Sequence, residues 1–281
     1  MKQLTKPRHR TSRRGDTTIT TVILVAVSLS VIISASFFAY MVLEIQSQVA
    51  EYENAKTALL SFSELIDSVS LNLGSAGFTR IYFRAGGLSM LQGTENISIT
   101  VNSVWNALPS TSVNLLKVRG GRFVGGPDYM VLRGKPLAKP TDYLIVTSDT
   151  SDVPLGWVYV EQSEGSWTTM DFGRAKATFT GTFNYSETGV TWELLNVVEV
   201  LYIKPFFKTS GGGMDTVDLR ARNVRMNTDT RRFSTTDVTI TVNRGTNSQT
   251  VTIHGPATFN GVQVKGTVVY VTIVDVEVSI Y

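Results

Sequence analysis

The side chains that carry most enzyme chemistry are scarce in this chain. Among 281 residues there are two histidines, His9 and His254, and no cysteine. The lack of cysteine excludes disulfides, thiolate metal sites, Fe–S clusters and cysteine nucleophiles. His9 lies in a basic N-terminal leader, so the rest of the chain has a single imidazole and no two-histidine metal site. His254, in the run TVTIHG, reads as a structural residue at a strand end. The glycine-rich stretch GGRFVGG at 120–126 lacks the Lys-Ser/Thr of a phosphate-binding loop and no helical pattern follows it, so a β-turn accounts for it better. Asp149 and Asp152 are close enough in sequence to contribute to a calcium loop, but a full ligand set is missing and a solvated turn is the plainer reading. No catalytic residue, metal site or cofactor is therefore expected, and the chain does not read as an enzyme.

Two other surface patterns are candidates for binding or modification. Arg220, Arg222, Arg225, Arg231 and Arg232 stand together with only Asp229 opposing them. On a strand, Arg220 and Arg222 would share a face suited to an anionic glycan, nucleic acid or an acidic stripe on a second copy. The alternative is a solvated basic edge that discourages strand pairing. No aromatic residues interleave with the arginines, so no nucleic-acid partner is expected. Asn96-Ile97-Ser98 and Asn184-Tyr185-Ser186 fit the N-glycosylation acceptor pattern.

The elements that would position these residues begin with an unusual N-terminus. Lys2, Lys6, Arg8, Arg10, Arg13 and Arg14 precede any acid, and removing them leaves 20 basic against 23 acidic residues, so the formal charge of +3 belongs to a leader. At 42% hydrophobic and 17% charged, the chain is not disordered. From Thr17 to Leu43 no residue is charged, a run that as a helix would span roughly 40 Å and cross a bilayer. Thr17, Thr18, Thr20, Thr21, Ser28, Ser30, Ser34 and Ser36 make it rich in small hydroxyls, which suit close helix–helix packing better than contact with lipid alone. All the basic charge precedes the run, which keeps residues 1–15 cytoplasmic and sends the rest outside.

The helical pattern then continues. Ile45, Val49, Tyr52, Ala55, Leu59, Phe62, Ile66, Val69 and Leu73 recur every three or four residues on one face, and Gly74 and Gly77 offer a C-terminal stop. The spacing predicts one helix of about 55 residues, roughly 80 Å long. From Phe78 onward the period becomes two. Alternating β-branched and aromatic runs at 78–84, 97–104, 129–133, 142–148, 156–160, 177–183, 197–203, 237–243, 250–255 and 267–281 are separated by glycine turns, including Gly211-Gly212-Gly213. The fold class expected is α+β: a long N-terminal helix over 16–75 and an antiparallel β-sandwich-like head over 76–281. In the last run Val268, Tyr270, Val274, Val276, Val278 and Ile280 form one apolar face and Val269, Val271 and Ile273 another, the mark of a central or covered strand.

Ser12-Arg13-Arg14-Gly15, then Asp16, then an unbroken apolar helix running into an amphipathic one and a β-rich head, resembles the class III signal peptide and body plan of the type IV pilin superfamily. With no cysteine and an all-β head, the chain is most similar to archaeal adhesion pilins and archaellins. The resemblance covers about residues 10–75; the head matches only by class. It implies cleavage after Gly15 by a prepilin peptidase that reads Arg13, Arg14, Gly15 and Asp16, followed by assembly of a homopolymer through the N-terminal helices. Ile19, Val22, Ile23, Leu24, Val27, Leu29, Val31, Ile32, Phe37, Phe38 and Val42 would then form the filament core. The membrane holds the precursor, and the product is an extracellular surface filament. The chain departs from bacterial pilins at Thr20, where those carry a glutamate that pairs with a neighbour's amino terminus. Other readings of the same segment are an uncleaved single-pass anchor for a surface binding module, and a secretory signal cut after Ser34-Ala35-Ser36. Ser12-Arg13-Arg14 is a weak twin-arginine signal because Asp16-Thr17 replaces the apolar pair, and Arg14-Gly15-Asp16, an adhesion tripeptide by spelling, would be severed by the cut.

Overall fold

The computed structural model describes residues 14–150, 152–186, 192–208 and 216–281, with side chains from Ile19 onward. Arg13 and the Gly211-Gly212-Gly213 turn lie outside the described residues, as do the side chains of Arg14 and Asp16. The chain divides into two compact units, Met1–Ser47 and Gln48–Tyr281. Helix α1 spans Arg14–Ser70.

In the second unit α1 buries one stripe: Tyr52, Ala55, Leu59, Phe62, Ile66 and Val69. Leu59, Phe62 and Ile66 are fully buried, each worth about 1.5–3 kcal/mol on leaving water. The predicted stripe is corrected at both ends. Gln48 is buried where Val49 was expected, because its Oε1 accepts the Phe123 N–H at 3.1 Å. The helix stops at Ser70, and Leu71 and Leu73 are exposed. The stop comes from Asn223, whose buried side-chain amide donates to the carbonyls of Val69 (3.4 Å) and Ser70 (3.2 Å), satisfying groups that the helix end leaves open. Gly74 then turns the chain with φ +81°.

Two sheets form the sandwich-like head. In chain order the strands are β1 Ala76–Tyr82, β2 Gly87–Val101, β3 Trp105–Arg119, β4 Tyr129–Arg133, β5 Ile145–Val146, β6 Trp157–Gln162, β7 Ser166–Asp171, β8 Ala175–Tyr185, β9 Glu193–Lys208, β10 Thr216–Phe233, β11 Val238–Arg244, β12 Asn247–Ile253, the small pair β13 Thr258–Phe259 and β14 Val262–Gln263, and β15 Thr267–Ile280. One sheet has the order β1-β10-β15-β9-β8-β5 and the other β12-β11-β2-β3-β7-β6-β4. The stripe of α1 shares a core with both, meeting Ile81, Leu219, Val274 and Val276 of the first sheet and Leu116, Val118, Trp157 and Met170 of the second. A second core, around Ile97, Ile99, Val198, Val200, Ile240 and Val271, fills the rest.

β15 is central, between β10 and β9, and buried on both faces over much of its length, as its doubly apolar sequence requires. Three details go beyond the sequence reading. The sheets are mostly antiparallel, but β15 pairs with β9 in parallel, and so does β5 with β8. Between β9 and β15 the chain builds β10 of the same sheet and then β11 to β14, and it returns beside β9 in the same direction, a route only a long connection permits. The run at 142–148 contributes two strand residues, bracketed by 3-10 turns at Pro140–Asp142 and Ser148–Thr150. Finally, β3 and β7 had no sequence expectation.

Candidate functional site: an uncovered apolar helix segment

The residues predicted to act by packing all lie on one stretch of α1. Ile19, Val22, Ile23, Leu24, Val27, Leu29, Val31, Ile32, Phe37, Phe38 and Val42 are exposed, from 50% at Val42 to 66% at Phe38. Those values hold on every side of the helix, so none of the described residues covers a face of it. Buried against a partner, each such side chain would contribute about 1.5–3 kcal/mol, tens of kcal/mol for the segment. Covering by other helices or by lipid is thus its dominant unmet physical demand. One helix here is long and apolar enough to cross a membrane.

The hydroxyls behave as a helix in apolar surroundings requires. Ser30 Oγ donates to the Ala26 carbonyl at 2.9 Å, hiding its polarity against its own backbone. Ala26, Val27, Ser30, Val31, Ser34 and Ala35 line a shallow groove on this helix, where small side chains leave room for another backbone to come close. Arg14, Gly15 and Asp16 occupy the first turn of α1.

The head's candidates resolve differently. The GGRFVGG stretch is a turn closed by the Val124 N–H on the Gly121 carbonyl at 3.0 Å. Its glycines serve close packing: a Cβ on Gly121 would stand 2.4 Å from Gln48 Oε1 of α1, and one on Gly120 2.9 Å from Val124. His254 is exposed just past β12, with Nδ1 3.2 Å from Asp237. Asp149 sits in the 3-10 turn at Ser148–Thr150, and among the described residues no three His, Asp or Glu gather as metal ligands. Asn96 and Asn184 are both exposed, on β2 and β8, where a modifying enzyme can reach them.

The five arginines all fall on β10 but do not act as one patch. Arg225 pairs with Asp275 at 2.6 Å, Arg232 pairs with Glu193, and Arg231 lies over the Phe233 ring. Arg220 lines an open groove with Phe78, Arg80, Asp218 and Tyr281.

No family model, curated protein or solved structure matches this chain. What can be read about its function therefore rests on the residues themselves.

Sequence reasoning missed a buried charged cluster. Asp171 is 1% exposed and accepts hydrogen bonds from the Gly173 N–H and from Arg244 Nη1, both at 2.7 Å. Arg244 also donates through Nε to Glu95 at 2.6 Å. Burial pulls the Arg244 pKa down, but Asp171 and Glu95 more than offset it and hold the group above its ordinary value. Arg174, fully buried, lies with its guanidinium 4.4 Å from the Trp157 ring centre, and none of the guanidinium nitrogens has a hydrogen-bond partner among the described residues. Burial lowers its pKa to about 10, which leaves it charged at neutral pH. These charges come from β7, the β7–β8 turn, β11 and β2, so no local spacing announces them. Each is held by the fold's own groups, which reads as architecture rather than a reactive centre.

Proposed function

We propose that this chain is the structural subunit of an extracellular, type IV pilus-like filament: a membrane-inserted precursor, trimmed by a prepilin peptidase after Gly15 and polymerised through its N-terminal helices. The observation that carries the reading is the segment Ile19–Leu43, apolar and uncovered on every side, in the same helix as a stripe buried in the head. A lone anchor has no use for Ser28, Ser30, Ser34 and Ser36, whereas in a bundle small hydroxyl residues let helices approach and bond across. The resemblance of Arg13-Arg14-Gly15-Asp16 to a class III cleavage site supports the same reading. The partners are other copies of the chain, the peptidase and an assembly machinery, and the mechanism is burial of apolar surface rather than catalysis.

N-terminal sequencing of the protein from its native cells tests this. The expected first residue is Asp16, in material sheared from the cell surface as polymer. A start at Met1 would make the protein an anchored surface binding module. A start at Phe37 would make it a secreted domain.

A further inference from the structure

The first sheet has a bare stretch at each side, and the two overlap in level. β1 pairs with β10 only over Thr216–Arg222, and a bulge at Val224 follows. From Val224 to Arg232, β10 is bonded to β15 alone among the described residues, and every residue is exposed on both faces, including Val224 and Met226. On the far side, β5 covers β8 only at Ala175 and Lys176, so from Ala177 to Tyr185 β8 is bonded to β9 alone among the described residues. The two bare stretches overlap in level over four rungs, Asp229, Thr230, Arg231 and Arg232 against Ala177, Thr178, Phe179 and Gly181. On one of these rungs Thr230 stands opposite Tyr270, Tyr270 beside Glu199, and Glu199 opposite Thr178.

Strand direction makes this arrangement complementary to itself. β15 and β9 are parallel, and β10 and β8 are each antiparallel to them, so the two bare edges run the same way. A second copy shifted sideways therefore brings its β8 against the first copy's β10 as a parallel pair, and each copy still presents a free β10 or β8 at its other side. We propose that the bare β10 edge takes the β8 edge of a second copy of this chain, joining heads into a continuous sheet. Such a contact is heterologous, and with the twist of a sheet it propagates as an open helical array rather than closing as a dimer. The inference rests on the filament reading only for the setting in which the contact forms.

Edges are usually guarded by charge, and the guards here are largely occupied. Arg225 and Arg232 are tied to Asp275 and Glu193 of their own sheet, leaving the middle, Met226-Asn227-Thr228-Asp229-Thr230, without a basic side chain. The β8 stretch carries no charge at all; its one guard is a bulge between Phe179 and Gly181.

The absence of cysteine makes the test direct. Full-length Thr178→Cys/Thr230→Cys, two positions on the same rung at opposite edges of the sheet, is produced in the native cells and treated with a short bis-maleimide, alongside each single variant. The expected result is a denaturation-resistant ladder of many subunits in the double variant and monomer in both singles. Filaments visible by electron microscopy but without a ladder would overturn the edge pairing and leave the filament reading intact. A ladder without filaments would sustain the pairing and remove the filament reading. Neither ladder nor filaments would remove both, and dimers from a single variant would show a self-facing contact and overturn the proposal.

Discussion

Two buried arginines of the same cluster make opposite predictions. Arg244 holds Asp171 and Glu95 by short charge-assisted bonds, so Arg244→Met would strand a carboxylate that is 1% exposed. Breaking one side of a buried pair in this way costs about 3–5 kcal/mol. The Arg174 guanidinium makes no hydrogen bond among the described residues, sits on an indole face and is repelled by Arg244. Met at 174 would keep the packing on Trp157, and Asp67 and Asp171 would keep their bonds to Arg133 and Arg244. Arg174→Met is therefore expected to be neutral or stabilising by up to about 4 kcal/mol. Guanidinium unfolding of the two variants checks the contrast, and the reverse order would mean that Arg174, not Arg244, anchors the cluster. None of this is legible in sequence, where Glu95, Asp171, Arg174 and Arg244 look like four ordinary charges on separate segments.

What the sequence reveals of each element depends on whether burial imposes a period on it. The stripe from Tyr52 to Val69 and the doubly apolar β15 are readable because one partner surface selects every side chain along them. β3 escapes notice because Pro109 interrupts it; the structure accommodates that proline in a register irregularity against Ile97 and Ile99. The bare half of β10 has no alternation because neither face is buried, and so it reads as a cluster of arginines. Where β10 is covered, charge marks the pairing instead. Arg80 of β1 and Asp218 of β10 are directly opposed and bonded at 2.6 and 2.9 Å. The Arg80 guanidinium holds the Asp218 carboxyl below its ordinary value of 3.8. A lowered carboxylate pKa contributes stability above the ordinary value that is lost as pH falls through the folded one, so this strand pair weakens only in strong acid. Both groups are exposed, and the contribution to global stability is correspondingly small. An NMR titration is expected to place the Asp218 midpoint below 3.8 in the parent chain and near 3.8 in Arg80→Ala. An unchanged midpoint would mean that the pair does not persist in solution.

At the scale of the molecule, the sequence suggests a boundary where the period changes from helical to two, near residue 75, whereas the compact head begins at Gln48. The difference is physical: a change of periodicity marks the end of an element, but a domain ends where shared burial ends. Tyr52, Ala55, Leu59, Phe62, Ile66 and Val69 are as much head core as any strand residue, and Glu51 fastens the β1–β2 turn by accepting the Gly86 N–H at 2.8 Å. Two truncations separate the alternatives. Residues 48–281, which drop the uncovered apolar segment and keep the stripe, are expected to be soluble and to unfold in one cooperative transition. Residues 76–281 lack all six stripe side chains. Removing Leu59, Phe62 and Ile66 alone would cost roughly 7–15 kcal/mol at large-to-small rates, comparable to the whole stability of a domain. That fragment should expose its core and aggregate. Calorimetry and size-exclusion chromatography of the two fragments read the result directly. A cooperative melt of 76–281 at the temperature of the longer fragment would mean that the sheets close their core without the helix, and that the helix is an appendage to the head rather than part of it.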